Sequence, residues 1–405
     1  MDSLKRLSAE RNDQPTPERE RLILALNSGS SSLKFGVYRV TAGQVQRLID
    51  GEAQGLETQA GRFDAIDAEH RTLAGLAMPM ITTKQALHEI ERLLEQTRFG
   101  GLDGIGHRVV HGGPVLRQPC VVDQQVLEQL QQVAAFAPLH TPAALSVIHE
   151  TAGHFPGVVQ VVCFDTGFHA QMPAIAHVLA LPEELRAQGI QRYGFHGLSC
   201  QSIVRRLARD LPERLIIAHL GNGASITAVR AGQSVDTSMG LTPSGGMIMS
   251  TRSGDLDPGV LIYLIRQKGL DVAAVEDLVN RRAGLLGISG LSGDMRTLKS
   301  ARPNQSDARL AVEMFCYCAY KQIAAMMAVL GGIDTLVFTG GIGENDSEVR
   351  AQICTGLAWT GLVLDSAQNE SASELISTCE SSCTVRVLAS QEDDEIALAT
   401  WQLIP

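Results

Sequence analysis

Apolar residues along the chain fall into short runs that stop at small polar loops. Leu22–Leu26 is followed by Asn27, a Ser/Gly loop around Gly29, Lys34 and a second apolar run to Tyr38. This pattern predicts two strands joined as a hairpin. The hairpin tip, with the Ser30 and Ser32 hydroxyls, backbone N–H groups and the Lys34 ammonium, suits a phosphate. An ordinary exposed turn is the alternative. A polar, glycine-bearing stretch to about Arg71 continues an antiparallel sheet. Ala86, Leu87, Ile90, Leu93 and Leu94 give Thr83–Gln96 helical spacing. Gly104–Val110 reads as a strand broken by His111-Gly112-Gly113-Pro114. Val122–Phe136 and Pro142–Ala152 read as helices, and Val158–Phe164 as a buried strand ending at Asp165.

The second half repeats this style. Arg214–His219 is a strand ending in Gly-Asn-Gly, and Ala224–Arg230 pairs beyond it. Val260–Lys268 and Ala308–Leu330 are helices. Leu336–Thr339 runs into the glycine loop 340–343, and Ile396–Leu403 is a short amphipathic helix. The two halves share no obvious sequence identity, so a duplication is expected at the level of fold alone.

At 405 residues the chain is long enough for two or three domains. Its 44% apolar content supplies a substantial core. A net charge of −10 argues against nucleic-acid partners, and no apolar run is long enough to span a membrane. Anionic substrates would therefore need local cations. Eight scattered cysteines lack zinc-ligand spacing and read as reduced thiols in a cytoplasmic protein. Residues 1–21 hold five acidic and five basic side chains with two prolines, and read as a flexible tail.

Common nucleotide and hydrolase signatures are absent. There is no G-x-x-x-x-G-K-[ST], G-x-G-x-x-G or G-x-S-x-G, and His149 and His154 stand one residue too far apart for a zincin helix. Polar clusters at expected strand ends remain: Arg108 within Gly106–Gly113, His140 before a helix, Asp165 after a buried strand, His196 within Arg192–Gly197, and Arg252 within Thr251–Asp255. Ligands of α/β sheets bind beyond the carboxyl ends of strands, so the placement favours a site. Each residue alone also reads as an ion pair, a structural histidine or a turn cap.

Taken together with His219–Gly223 and Thr339–Asn345, these clusters make the chain resemble the acetate kinases from about Leu22 to Thr400. That family lies in the superfamily of sugar kinases, actin and heat-shock chaperone ATPases. The resemblance implies an α/β fold of two similar actin-like ATPase domains, ribonuclease H-like, each a mixed sheet flanked by helices, around a central cleft. The expected domains are 22–166 plus the C-terminal helix 393–405, and 167–392, the second forming a homodimer. The implied reaction is reversible, direct phosphoryl transfer from ATP to acetate, giving acetyl phosphate and ADP with Mg2+.

Acetate is ionised at neutral pH and needs no general base, so the task is to bring two anions together. Arg108 and Arg252 supply paired donors, and His196 and His140 further ones. By resemblance Arg108 binds the acyl substrate, while His196 and Arg252 stabilise the transition state. Asp165 matches the family's active-site aspartate, for which orienting an arginine or a magnesium-bound water is the favoured role. Asn27 and Glu392 match the metal positions, although the acidic run Glu392–Glu395 could be only a solvated helix start. Nucleotide contacts carry over to Lys34, Ser30, Ser32, His219, Leu220, Gly221, Asn222, Gly223, Asp294, Met295, Arg296, Gly341, Ile342, Gly343, Glu344 and Asn345. Glycines 287, 290 and 293 suit an irregular loop on the nucleotide side. Val110, Leu139, Phe195 and Pro243 would line the methyl end of the acyl pocket.

The chain departs from the family pattern at Gly167, Thr141, Ser244-Gly245-Gly246, Ser250 and Gln391–Asp394. None of these removes a charged catalytic residue. A propionate kinase with the same machinery is the nearest alternative. A non-catalytic nucleotide-binding switch is the alternative from another class.

Overall fold

The run Leu22–Leu26 becomes the interior of strand β1 (Arg21–Ser28), and its continuous hydrophobicity has a simple cause: both faces are covered. Leu22, Leu24 and Leu26 pack on one side with Ile90 and Leu93, and Ile23 and Ala25 pack on the other with Ile396 and Ala397. The computed structural model describes residues 20–405 except 30, 31, 57, 59, 79–81, 98, 138 and 139. Most of the expected tail lies outside the described residues. Its last residue, Arg21, belongs to β1 instead and donates from Nη1 to the Ile404 carbonyl at 2.6 Å.

β1 pairs antiparallel with β2 (Ser32–Val40), and the meander continues through β3 (Val45–Gln54), β4 (Arg62–Asp67) and β5 (Thr72–Ala77). On its other side β1 runs parallel to β6 (Gly104–Val109), which is parallel to β8 (Val159–Phe164); β7 (Cys120–Val121) closes that edge. The second sheet has β9 (Arg214–Leu220), β10 (Ala224–Arg230) and β11 (Gln233–Thr237) as an antiparallel meander. β12 (Thr335–Thr339) and β13 (Thr384–Val387) then run parallel to β9. The second sheet is thus three antiparallel strands continued by two parallel ones, and the order β3-β2-β1-β6-β8 within the eight-stranded first sheet repeats it, with β4, β5 and β7 added at the edges. This is the mixed α/β architecture expected of paired actin-like ATPase domains.

Two helices cross between the sheets. Helix Gly197–Arg206 follows the first sheet in the chain, yet its Cys200 and Ile203 pack against Leu215, Ile217 and Val337 of the second. Helix Glu392–Leu403 follows the second sheet, yet packs on the first. A Cβ at Gly106 of β6 would overlap Thr400 and Ile396, so glycine there lets this helix lie close to the sheet. The helix starts four residues before the expected Ile396 and is less one-sided than amphipathic, with Glu395, Ile396, Ala397, Ala399 and Thr400 all buried.

Three further expectations change. The helix read over 122–136 is Gln124–Gln132, capped by Asp123, followed by a separate turn Ala134–Phe136. The glycine loop after β12 is a short helix, Gly340–Asn345, closed by Glu344 Oε1 accepting from Gly340 N at 2.8 Å. Gly287 lies inside the helix Gly284–Ser289, which Gly290 terminates at φ +61°, so of that glycine series only Gly293 belongs to the cleft wall. All eight cysteines are free thiols, and among the described residues no helix is long and apolar enough to cross a membrane.

Candidate active site

Strands β1, β6 and β8 are parallel, so their carboxyl ends lie on one side of the sheet and bring Asn27, Arg108 and Asp165 together. Arg108 grips Asp165 with two bonds, Nε to Oδ1 at 2.9 Å and Nη2 to Oδ2 at 2.5 Å. Its Nη1 donates to Asn27 Oδ1 at 3.0 Å, and Nε stands 3.8 Å from Glu392 Oε2. Burial works against the Arg108 charge, but Asp165 and Glu392 outweigh it and hold the guanidinium above its ordinary range. The Asn27 amide nitrogen turns to the N-terminus of the C-terminal helix, donating to Asp393 Oδ1 at 3.3 Å and Glu392 Oε2 at 3.4 Å. Burial and Glu392 push the Asp393 carboxyl up to about 6. The acidic run is therefore part of the site wall, and the solvated-start alternative does not hold.

His196 faces this group from the head of helix Gly197–Arg206, held at φ +56°. The next residue must be small, because a Cβ at Gly197 would run into the Asp165 carbonyl, which accepts from Gly197 N at 2.8 Å. His196 Nδ1 meets Ser225 Oγ at 2.9 Å, and its ring stacks on His219 with centroids 4.1 Å apart and planes at 15°. His219 Nδ1 is in turn 2.8 Å from Ser199 Oγ. Burial and the neighbouring His219, Arg108 and Arg252 hold His196 well below its usual value, and burial takes His219 to about 4. Two neutral rings can stack this closely where two imidazolium ions would repel.

His196 Nε2 points toward Gly223. A Cβ there would stand 3.0 Å from Nε2 and 3.6 Å from Arg252 Nη1, so the glycine keeps space between the two donors. Arg252 Nη1 donates to the Pro243 carbonyl at 3.2 Å. Burial first, and then the Arg108 charge, lower its pKa; the same order of causes, burial then Arg252 and Arg108, takes His140 to about 4. Arg108, Arg252, His140 and His196 thus converge. Val110 and Phe195 are buried in one apolar cluster beside them. Leu139 and Ser30 lie outside the described residues.

A cleft of about 980 Å³ adjoins this group through Asn27, Glu392 and His219, while Arg108, Asp165, His140, His196 and Arg252 do not line it. Lys34, exposed on β2 opposite Asn27, lines it from the first sheet. His219, Gly221, Asn222, Asp294, Met295, Arg296, Gly341, Ile342, Glu344 and Asn345 line it from the second. Four expected nucleotide residues do not. The Leu220 side chain is fully buried in the second core, and Gly343 is buried in its helix with its carbonyl bound by Arg350. Gly223 lies at the His196–Arg252 group instead, and Ser32 closes the hairpin by accepting from Gly29 N. Tyr38, Arg47 and Ser390 line the cleft without having been singled out, and Gln391 and Asp394, noted in the sequence only as part of longer segments, line it too. The acidic run was the one available signal for Asp394. The others are placed by strand register and helix crossing.

A family model described as the acetokinase family matches residues 22–398. The chain belongs to the acetokinase family. An acetate kinase of Nitrobacter hamburgensis is 39% identical over 391 residues, covering 94% of this chain and 96% of the relative. An acetate kinase 2 of Neisseria meningitidis is 41% identical, covering 95% and 99%. Among solved structures, a propionate kinase from Francisella tularensis superposes with a TM-score of 0.89 at 37% identity, covering 95% of this chain and all of that one. An acetate kinase from Porphyromonas gingivalis gives 0.84 at 35%, with the same coverage. This acetokinase-family chain therefore spans its relatives nearly end to end. Its site combines an arginine–histidine group, a cleft that adjoins it through Asn27, Glu392 and His219, and an apolar cluster that holds Val110 and Phe195, next in sequence to the group's segments.

Proposed function

We propose that the protein transfers the γ-phosphoryl group of ATP directly to acetate, giving acetyl phosphate and ADP, and catalyses the reverse reaction. The observation that carries this reading is the gathering of Arg108, Arg252 and His196 beside a cleft lined by Asn27, His219 and Glu392, with Val110 and Phe195 in one apolar cluster next to them in sequence. A carboxylate oxygen attacks the γ-phosphorus, the bond to the bridging β–γ oxygen breaks, and ADP leaves with that oxygen. Little covalent chemistry is asked of the protein; positioning and charge compensation dominate. Arg108 receives the acetate carboxylate. Arg252 and the neutral His196, donating from Nε2–H, face the transferring phosphoryl oxygens, and His140 adds a donor. Asp165 grips Arg108 through two hydrogen bonds, which supports an orienting role over proton transfer. Lys34 and the loops 219–223, 294–296 and 341–345 hold the nucleotide.

The carboxylates of Glu392 and Asp393 are hard oxygen donors that suit Mg2+, which takes few protein ligands, whereas Asn27 presents Nδ2 to them and gives Oδ1 to Arg108, so its amide would have to turn to ligate the ion. Asn27 and Glu392 would hold the ion, which would neutralise phosphate charge. We assign 22–166 with 393–405 to one domain and 167–392 to the other. Helix Pro258–Lys268 buries no residue and exposes Val260, Ile262, Tyr263 and Ile265, which supports a homodimer through the second domain. Eight free thiols support a cytoplasmic location.

The fit to a propionate kinase favours propionate as the second reading. Trapping the acyl phosphate with hydroxylamine, using acetate, propionate and butyrate side by side with MgATP, decides between them. No hydroxamate from any of the three, with folded protein, would leave the non-catalytic switch.

A further inference from the structure

We infer that Ser250 is a positioning residue that clasps two walls of the cleft and sets the orientation of the Asn222 side chain. Ser250 lies two residues before Arg252 and does not itself line the cleft. Its hydroxyl proton is shared between the Gly293 carbonyl at 2.9 Å and Asn222 Oδ1 at 3.2 Å. Its backbone N–H donates to the Asn222 carbonyl at 3.2 Å, and its carbonyl accepts from Leu286 N at 3.0 Å. One residue thereby joins the loop after β9, the segment before Asp294 and the segment carrying Arg252. Gly293 is pressed so close that a Cβ there would stand 2.8 Å from the Ser250 carbonyl oxygen.

The consequence lies at Asn222, which is exposed at the cleft and whose amide would otherwise turn freely. A carboxamide has one acceptor end and one donor end. With Oδ1 held by the Ser250 hydroxyl, the Nδ2 donor is the end left for the cleft, where an anionic phosphate would need a donor. The inference rests on the reading of the cleft as the nucleotide site.

The test uses Ser250→Ala, which keeps both backbone bonds and removes the hydroxyl, with Ser250→Gly as a second variant. ADP affinity is measured by titration calorimetry, and KM for ATP and acetate by the hydroxamate assay. Loss of one hydrogen bond of this kind corresponds to a change of roughly three- to ten-fold. Both variants should weaken ADP binding and raise KM for ATP by about that factor, with KM for acetate changed less than two-fold. Asn222→Ala should weaken ADP binding as well, and adding Ser250→Ala to it should have no further effect. Unchanged ADP affinity in the Ser250 variants overturns the clasp, as does an equal rise in both KM values, which would mean that Ser250 acts through Arg252. Unchanged ADP affinity in Asn222→Ala overturns the assignment of that residue to the nucleotide, a failure distinct from that of the clasp.

Discussion

Arg205 donates from Nε to Glu395 Oε1 across 190 residues of sequence, joining two helices that each begin in the site, one at His196 and the other at Glu392. Each helix packs on the sheet that precedes the other, so the pair ties the two halves where they cross. Glu395 is fully buried, and burial raises its carboxyl while Arg205 opposes the rise. Arg205 is 36% exposed, so solvent screens part of the interaction.

Arg205→Ala should therefore cost about 1–3 kcal/mol, below the usual figure for breaking a fully buried pair. Because the helix headed by His196 then loses its tie to the one headed by Glu392, kcat should fall along with stability. Urea unfolding with parallel kinetics checks this. A variant with wild-type midpoint and kcat would show that the crossing is held by apolar packing alone.

Arg108→Ala and Arg252→Ala should separate two kinds of loss. Arginines opposite transferring phosphoryl groups can be worth about 10³–10⁵ in rate, so Arg252→Ala should chiefly lower kcat. Arg108→Ala should also raise KM for acetate, and it strands the buried Asp165 carboxylate at a cost of about 3 kcal/mol. Adding Asp165→Asn to Arg108→Ala should restore much of the stability and none of the activity. Variants within a few-fold of wild type in kcat and KM would remove that arginine from the site.

Stability should decline as pH falls from 6.5 toward 4. Burial takes His107, His111, His140, His169 and His219 to about 4 in the folded state, against about 6.5 when unfolded. Between these values the unfolded chain binds more protons, so this stability is complete above 6.5 and is lost as pH falls through 4. His196, also held low, adds to the five, while the carboxyls raised by burial act in the opposite sense: Asp393, from 3.8 to about 6, and Asp165, Asp236, Asp394 and Glu395; the histidines are the larger set by the size of their shifts. Calorimetric Tm should be clearly lower at pH 5 than at pH 7.5. An equal or higher Tm at pH 5 would show that these histidines protonate without opening the fold.

The same burial explains what could be read without coordinates. Strands β1, β6, β8 and β9 were legible because each is an apolar run stopped by small or polar residues, and Arg108, Asp165 and His219 were legible as their polar ends. The crossing of the helices was not legible in local periodicity, which shows a buried face without naming the sheet that covers it; the expectation that 393–405 joins the first domain came from the family resemblance alone. The short helix Gly340–Asn345 was hidden by its glycines; the Glu344 carboxylate on Gly340 N closes its start and Arg350 Nη1 binds the Gly343 and Glu344 carbonyls. The His196–His219 stack depends on Ser199 and Ser225, side chains that carry no signature in sequence. Tyr38 and Arg47 enter the cleft through the β2–β3 register, which shifts between Val37 and Tyr38 and which no spacing announces.

The size of the acyl pocket can be tested at Val110. Val110 is 6% exposed and shares an apolar cluster with Phe195, Ala137 and Leu220, one residue beyond the strand that carries Arg108. The Phe195 ring is braced by His111, whose ring stands edge-on to it at 5.5 Å. His111 is itself fixed, because its Nδ1 accepts from Gly113 N at 2.8 Å and its Nε2 lies 3.2 Å from the Leu241 carbonyl oxygen. A wall fixed this way has little room to yield to a longer chain, so truncating Val110 is the direct way to enlarge the pocket. One methylene changes discrimination by only about 1–3 kcal/mol, so wild type should prefer acetate, use propionate second and butyrate poorly. Val110→Ala should narrow the gap in kcat/KM between propionate and acetate by about ten-fold while lowering acetate turnover only modestly. A wild-type kcat/KM higher for propionate than for acetate would favour the propionate reading instead. An unchanged ratio in Val110→Ala would mean that this side chain belongs to the core and does not touch the acyl chain.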